Sequence, residues 1–274
     1  MMKIKINDIN LYYEIHGSGE PLLLIEGFGY SSWMWYRQVP ELSKNYQLIV
    51  FDNRGAGESD KPDMPYSIEM MADDAAGLLK ALGIKIAHIL GVSMGGYIAQ
   101  SLASRYPGRV RSLILCCTSF GGPKAVPMPP ETVQVLTDIN GLTPEEVLIR
   151  GMSAAFTEEY FQANPGEIKK IAGWRLANPQ PLYARRHQWN AVTRADLEED
   201  TKKITAPTLI MTGTNDRVVP AENSRKIAQM IAGSRLVEFP GQGHLFLIEK
   251  AAEFNQKVLT FLNRYPIADE NTFP

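Results

Sequence analysis

Short apolar runs alternate with longer amphipathic stretches along most of the chain. A short apolar run bounded by turn residues is typical of a buried strand, whereas apolar positions three and four residues apart indicate a helix. Their alternation favours crossover connections, and therefore a mostly parallel sheet with helices on both faces. The pattern predicts eight strands, at residues 3–6, 11–15, 21–26, 47–51, 87–90, 111–116, 208–211 and 236–239, and helices at residues 67–82, 94–106, 221–231 and 251–263.

One long stretch, residues 121–205, lacks strand-like runs. It opens on Gly- and Pro-rich breakers, and amphipathic helical patterns follow, for example at residues 144–156. Large aromatic side chains recur along it. We therefore predict an α/β core formed by residues 1–120 and 206–274, with residues 121–205 inserted as a helical cap. The alternative is that these helices simply extend the core.

Composition and charge exclude several classes of function. The chain has 274 residues, 45% hydrophobic and 21% charged, as in ordinary globular proteins. The formal net charge is -2 and no window clusters Lys and Arg with aromatic residues, so we expect no nucleic-acid partner. Because no apolar run could span a bilayer or act as a secretory signal, we expect no membrane partner and a cytoplasmic location. The only two cysteines, Cys116 and Cys117, are predicted to be core residues.

The strongest chemical signal is the sequence Gly91-Val92-Ser93-Met94-Gly95. It fits the G-x-S-x-G pattern, with a predicted strand before it and a predicted helix after it, as a nucleophile elbow requires. Glycine at both flanks suits a turn so tight that side chains would collide there. The pattern predicts that Ser93 is a nucleophile at the carboxyl ends of the strands, where α/β sheets bind ligands.

A serine hydroxyl needs a base within hydrogen-bond reach, and the base needs an acid that orients it. Of the four histidines, His244 follows a predicted strand in a glycine-rich loop, so we assign it as the base. His16 and His88 lie inside strand-like runs and His187 lies in a charged helix, so structural or solvated roles suit them better.

The orienting acid should follow a strand that precedes the histidine. Asp216 lies just past the predicted strand at residues 208–211, whereas the rival position, after the strand ending at Cys117, offers only Thr118 and Ser119. We therefore assign Asp216 as the acid, which gives the chain order Ser, Asp, His. The alternative is that Asp216 only stabilises a local turn.

Acyl transfer builds negative charge on a carbonyl oxygen, and two backbone N–H groups usually bind it. One donor should be the residue after the nucleophile, Met94. The loop after the strand at residues 21–26 should supply the other, and we assign this donor to Phe28.

Together these segments resemble the α/β-hydrolase superfamily over nearly the whole chain. The resemblance rests on residues 26–29, 52–59, 91–95, 213–220 and 243–244. It points to the branch of small carboxylesterases, 3-oxoadipate enol-lactonases, acyl-homoserine lactonases, cofactor-free haloperoxidases and carbon–carbon bond hydrolases. In that branch a helical cap lies between the sixth and seventh core strands, as residues 121–205 would here.

One position departs from the family pattern, since Glu26-Gly27 stands where the family usually has His-Gly. The usual histidine supports the oxyanion loop. One interpretation is that Glu26 supports the loop through other hydrogen bonds. The sharper hypothesis is that Glu26 is a buried, neutral carboxyl group beside the site, because burial disfavours the charged form.

We therefore expect hydrolysis of a small-molecule carboxylic ester or lactone through an acyl-enzyme. A carbon–carbon bond hydrolase, a haloperoxidase or perhydrolase, and a receptor-like ligand-binding protein of the same fold stay as alternatives, and the oligomeric state stays open. We expect no cofactor, because no nucleotide fingerprint occurs, and no metal, because no His, Asp or Glu cluster has ligand spacing. Glu26, Trp33 and Trp189 are candidate pocket residues, with Phe28 and Met94 beside them.

Overall fold

The computed structural model describes residues 2–138 and 140–267, and eight strands of this part of the chain form one sheet. Their order in the sheet is β1-β2-β4-β3-β5-β6-β7-β8. β1 pairs antiparallel with β2, β2 pairs antiparallel with β4, and the other pairs are parallel. The strands are β1 (Met2–Ile6), β2 (Ile9–His16), β3 (Glu20–Ile25), β4 (Tyr46–Phe51), β5 (Ala87–Val92), β6 (Val110–Cys116), β7 (Thr208–Gly213) and β8 (Arg235–Phe239).

Twelve α-helices occur in the described residues, together with two short 3-10 helices, Ser32–Trp35 and Pro107–Arg109. None of these helices combines the length and the apolar composition needed to cross a bilayer. The helices are α1 (Val39–Leu42), α2 (Ile68–Ala81), α3 (Met94–Arg105), α4 (Pro130–Thr137), α5 (Pro144–Ala155), α6 (Glu158–Ala163), α7 (Pro165–Ala177), α8 (Leu182–Arg194), α9 (Glu198–Lys202), α10 (Ala221–Met230), α11 (Phe246–Glu249) and α12 (Ala251–Leu262).

The central strands are covered on both faces, as their continuous apolar sequences predict. Every residue of β5 and β7 is buried. Alternate residues of β3 join different hydrophobic clusters: Leu23 and Ile25 pack with α2 and α3, whereas Leu22 and Leu24 pack with α11 and α12. The predicted mostly parallel, eight-stranded α/β sheet with helices on both faces is therefore confirmed.

The helices α4 to α9 follow β6 and precede β7, within the segment predicted as a cap. Gln188 of α8 donates from Nε2 to the carbonyl of Arg54, at 2.8 Å, in the loop after β4. The amide of Leu245, in the loop after β8, donates to the carbonyl of Ala155 at the end of α5, at 2.9 Å. Both loops follow carboxyl ends of parallel strands, so the inserted helices cover that edge of the sheet. The division into a core and a separate cap stays a prediction.

Candidate active site

Ser93 occupies a strained turn between β5 and α3. Its backbone angles, φ 55° and ψ -119°, fall in a region that residues other than glycine rarely adopt. Such strain costs on the order of 1–3 kcal/mol and persists only where the surroundings enforce it. The amide of Ser93 donates to the carbonyl of Cys116 at 2.9 Å, and the hydroxyl of Thr118 donates to the carbonyl of Ser93 at 2.7 Å. Neighbouring β6 therefore holds the turn in place.

The two flanking glycines are required by close packing. A methyl group on Gly91 would lie 2.2 Å from the carbonyl oxygen of Gly95. A methyl group on Gly95 would lie 2.1 Å from the carbonyl oxygen of Ile25, at the end of β3. The start of α3 thus packs directly on the backbone of the strand that leads into the predicted oxyanion loop.

Asp216 and His244 are brought together by the loops after β7 and β8. Nδ1 of His244 and Oδ2 of Asp216 lie 2.7 Å apart, and both side chains are buried. The other oxygen of Asp216 accepts hydrogen bonds from the amides of Val218 and Val219, each at 2.8 Å. This carboxylate is fixed in place, and its contact to Nδ1 leaves Nε2 of His244 as the nitrogen available to a nucleophile.

The pKa of His244 results from opposing effects. Burial by itself lowers this pKa, because the imidazolium ion loses its hydration. Asp216, through its charge and its hydrogen bond, and the neighbouring Cys117 act in the other direction and prevail, so the pKa of His244 lies well above its ordinary value. A more basic imidazole is a stronger acceptor for a serine proton.

Cys117 is a buried neighbour of this pair that the sequence pattern assigned only to the core. Potential ligand atoms of Cys117, Asp216 and His244 all lie within 4.8 Å of one another, which is also the spacing of a metal site. Burial raises the pKa of the Cys117 thiol to about 11, so the sulfur is neutral near pH 7. Because Nδ1 of His244 is already engaged by Asp216, we interpret the group as an acid–base pair with a thiol beside it.

The loop after β3 lies against Ser93. A methyl group on Gly27 would lie 3.3 Å from Cβ and 3.9 Å from the hydroxyl oxygen of Ser93. The amide of Tyr30 donates to the carbonyl of Gly27, which curls the loop. Within the described part of the chain, the amides of Phe28 and Met94 donate no hydrogen bond. These are the two amides that the sequence analysis predicts to be the oxyanion donors.

Glu26 lies behind this loop and is completely buried. Its Oε1 accepts a hydrogen bond from the amide of Asn53 at 2.7 Å, whereas its Oε2 is buried with no hydrogen-bond partner among the residues described. Burial, followed by the nearby charge of Asp52, raises the pKa of Glu26 well above its ordinary value. The neutral form of this carboxyl group is therefore favoured.

A cavity of about 420 Å³ contains both Ser93 and His244 in its wall. This volume suits a small molecule. Much of the wall is apolar, but it also holds three arginines, and its described residues include no Asp or Glu. The apolar wall includes Phe28, Met34, Leu148, Leu182, Trp189 and Val218, and the arginines are Arg175, Arg185 and Arg186.

The candidate pocket residues fall in different places. Trp189 lines the cavity, with its ring centroid 5.6 Å from that of Phe28. Trp33 is not among the described residues of the wall; it packs behind the wall against Tyr30 and Trp174, at ring-centroid distances of 5.3 and 5.4 Å. Glu26 likewise lies outside the wall. The aromatic pattern did not distinguish a side chain facing the cavity from one that packs the inserted helices.

The other histidines are occupied elsewhere. His88 is buried and contacts Ser112 and Glu20, and His16 contacts Glu14. His187 was expected on a solvated face, but its side chain is only 12% exposed and contacts Asp63. None of the three lines the cavity in the part of the chain that the structure describes.

Known proteins resemble this chain over almost its full length. It is 29% identical over 255 residues to a putative carbamate hydrolase RutD of Azorhizobium caulinodans, covering 93% of this chain and 95% of that protein. It is 30% identical over 269 residues to a 2-hydroxy-6-oxo-6-phenylhexa-2,4-dienoate hydrolase of Comamonas testosteroni, covering 94% and 93%.

A solved structure and a family pattern agree with these relatives. The enol-lactonase from Burkholderia xenovorans LB400 matches with a TM-score of 0.82 and 30% identity, covering 96% of this chain and 100% of that one. The pattern of the family described as alpha/beta hydrolase fold matches residues 20–140 and 136–251. The chain therefore belongs to the α/β-hydrolase fold family.

Proposed function

We propose that the protein is a serine hydrolase that cleaves a carboxylic ester or lactone through an acyl-enzyme. Ser93 is the nucleophile, His244 the general base and Asp216 the acid that orients it. The observation that carries the proposal is the strained Ser93 in the wall of the cavity that also exposes His244, whose Nδ1 is engaged by Asp216 at 2.7 Å. The enol-lactonase among the similar structures supports the same class of substrate.

In this mechanism Nε2 of His244 takes the proton of the Ser93 hydroxyl while the serine oxygen attacks the substrate carbonyl. The amides of Phe28 and Met94 bind the oxyanion of the tetrahedral intermediate. The protonated His244 then gives its proton to the leaving oxygen, and the acyl group stays on Ser93. Water, deprotonated by His244, attacks the acyl group, and the proton returns to Ser93 as the acid leaves.

Hydrolysis of a substrate panel by the wild type and by Ser93→Ala tests the proposal. The panel holds p-nitrophenyl esters of two to twelve carbons, an acyl-homoserine lactone series and a dienone diketone. We expect turnover of an ester or lactone by the wild type and a loss of at least about 10³-fold in kcat in the variant. Ser104→Ala, at a half-buried position of α3 where the hydroxyl donates to Asp200 at 3.1 Å, serves as the matched serine control and should stay active.

The outcomes separate the alternatives. Equal turnover by the wild type and Ser93→Ala would exclude Ser93 as the nucleophile. A folded wild type that turns over no member of the panel would overturn the ester or lactone proposal. Cleavage of the dienone diketone alone would favour carbon–carbon hydrolysis, the second candidate, which the Comamonas relative supports.

A further inference from the structure

Two arginines from the inserted helices converge on the oxyanion loop. Arg175 of α7 and Arg185 of α8 both line the cavity that contains Ser93. A methyl group on Gly29 would lie 3.0 Å from Nη2 of Arg175 and 3.3 Å from Nη1 of Arg185. Gly29 is two residues from Gly27, and adjacent Cα atoms are about 3.8 Å apart. The paired guanidinium groups are therefore close to the point where the loop touches Ser93.

Neither guanidinium has an anionic partner among the residues that the structure describes. Among residues 2–138 and 140–267, Arg175 and Arg185 form no ion pair and no hydrogen bond, although each stacks on an aromatic ring. No Asp or Glu belongs to the described wall of the cavity. Oε1 of Gln180 lies 3.8 Å from the same methyl position on Gly29, but it carries no formal charge. Within the described wall of the cavity, no negative charge therefore balances these two positive charges, although the net charge of the whole chain is -2.

The aromatic contacts orient both groups. Cζ of Arg175 lies 4.9 Å from the ring centroid of Tyr30, and Cζ of Arg185 lies 4.8 Å from that of Phe28. A guanidinium stacked on a ring keeps the N–H groups of its edge free for a planar anion. Burial, and then the charge of Arg175, lower the pKa of Arg185 to about 10, and a bound anion would relieve this electrostatic cost.

We propose that Arg175 and Arg185 form a carboxylate subsite, and that the substrate is an ester or lactone carrying a carboxylate away from its scissile carbonyl. Two guanidinium edges match the planar, bidentate geometry of a carboxylate. The apolar side chains of Leu182 and Trp189 in the same wall would contact the carbon chain between the carboxylate and the carbonyl. This subsite rests on the hydrolase activity proposed above, and it assigns the class of substrate.

Matched substrate pairs test the subsite directly. Monoethyl adipate is compared with ethyl hexanoate, and (5-oxotetrahydrofuran-2-yl)acetate with γ-hexalactone, so each pair differs chiefly in one carboxylate. Ethyl 5-phosphonopentanoate tests whether the site accepts another anion. We expect kcat/KM to be at least about 10-fold higher for the carboxylate member of a pair, mainly through a lower KM.

The decisive quantity is the ratio of kcat/KM between the two members of a pair. Arg175→Gln and Arg185→Gln should each lower this ratio by about 10-fold or more, because each removes charge-assisted hydrogen bonds. Arg194→Gln removes the same charge from the exposed end of α8 and should leave the ratio unchanged. An equal loss on both members in the first two variants would show a purely structural role and overturn the subsite. A preference for the phosphonate would overturn the carboxylate assignment.

Direct binding separates this proposal from the hydrolase proposal. Titration of the wild type with adipate at low ionic strength should give saturable heat, which Arg175→Gln and Arg185→Gln abolish and Arg194→Gln retains. Such binding without turnover of any ester or lactone would support the subsite and overturn the hydrolase. Turnover of the neutral esters with no preference and no adipate binding would support the hydrolase and overturn the subsite.

Discussion

The carboxyl group of Glu26 lies directly before the predicted oxyanion loop, and one of its oxygens lacks a hydrogen-bond partner among the described residues. An ionised carboxylate there would oppose the negative charge that develops on the substrate oxygen. Burial and the charge of Asp52 both favour the neutral form. We therefore interpret Glu26 as a neutral hydrogen-bonding group that supports the loop after β3.

Glu26→Gln should keep most of the activity, because glutamine has nearly the shape of a neutral carboxyl group. It should also change the pH dependence of stability. The folded-state pKa of Glu26 is raised, so the stability it contributes is complete below the ordinary Glu pKa and is lost as the pH rises through the folded value. The free energy of unfolding of the variant should therefore exceed that of the wild type increasingly above about pH 4.5.

Urea unfolding at pH 5, 6, 7 and 8 measures this difference, with exposed Glu159→Gln as a control that should show no such trend. Between its two pKa values a single group changes the free energy of unfolding by up to about 1.4 kcal/mol per pH unit. A loss of more than about 100-fold in kcat, with the fold intact, would show that the proton of Glu26 is required.

The raised pKa of His244 predicts the pH dependence of catalysis. Only the neutral imidazole accepts the proton of Ser93, so kcat/KM for a neutral ester should rise with pH. Because Asp216, together with the neighbouring Cys117, outweighs the effect of burial on the pKa of His244, the midpoint should lie above the ordinary His value of about 6.5. Glu26→Gln should leave this midpoint unchanged. That result would exclude Glu26 as the titrating group and would support the assignment of the midpoint to His244. A midpoint at or below 6.5 would contradict the prediction.

At the scale of elements, the start of α3 and the end of β3 form one unit. Gly95 brings the helix so close to the carbonyl of Ile25 that any side chain would displace backbone. The same strand continues into the loop at Gly27, where an added methyl group would lie 3.3 Å from Cβ of Ser93. The relative position of Ser93 and the predicted oxyanion donors therefore depends on this contact between α3 and β3, whereas the glycine pattern in the sequence indicated only a tight turn at Ser93.

Gly95→Ala should destabilise the protein strongly, because its methyl group would meet two backbone carbonyl oxygens at 2.1 and 2.7 Å. Overpacking typically costs about 1–3 kcal/mol, and backbone has little freedom to yield here. Gly173→Ala is the matched control, since this exposed glycine of α7 has no atom within 4 Å of its methyl position. The control should gain about 0.5–1 kcal/mol in helix stability. Equal changes in both free energies of unfolding would contradict this account.

At the scale of the whole molecule, the sequence predicts features that depend on neighbouring residues, but it does not predict contacts between residues that are far apart in the chain. The strands, the predicted elbow and the residues of the predicted triad lie in patterns a few residues long, and the resemblance to the α/β-hydrolase superfamily is confirmed. Cys117 follows β6 at the rival acid position, where the sequence drew attention only to Thr118 and Ser119. Arg175 and Arg185 lie close together because α7 and α8 fold over the loop after β3. The helical periodicity of the sequence does not predict this tertiary arrangement.

Arg54 connects distant parts of the molecule through a buried charge. Its side chain is 1% exposed and donates from Nε to Asp74 of α2 at 2.6 Å and from Nη2 to Asp8 of the β1–β2 turn at 3.0 Å. Its carbonyl accepts from Gln188 of α8. The loop after β4 is thus tied to the hairpin, the core and the inserted helices at once.

Asp74→Asn should destabilise the whole fold. It keeps the shape of the side chain but leaves Arg54 buried with only the half-exposed Asp8 as a charged partner, and breaking a buried pair costs about 3–5 kcal/mol. Asp73→Asn is a control one residue away, because Asp73 pairs with Arg105 at 2.7 Å at the surface. Its loss should cost at most about 1 kcal/mol. Urea unfolding monitored by circular dichroism measures both changes, and similar values for the two variants would show that the buried charge does not hold these elements together.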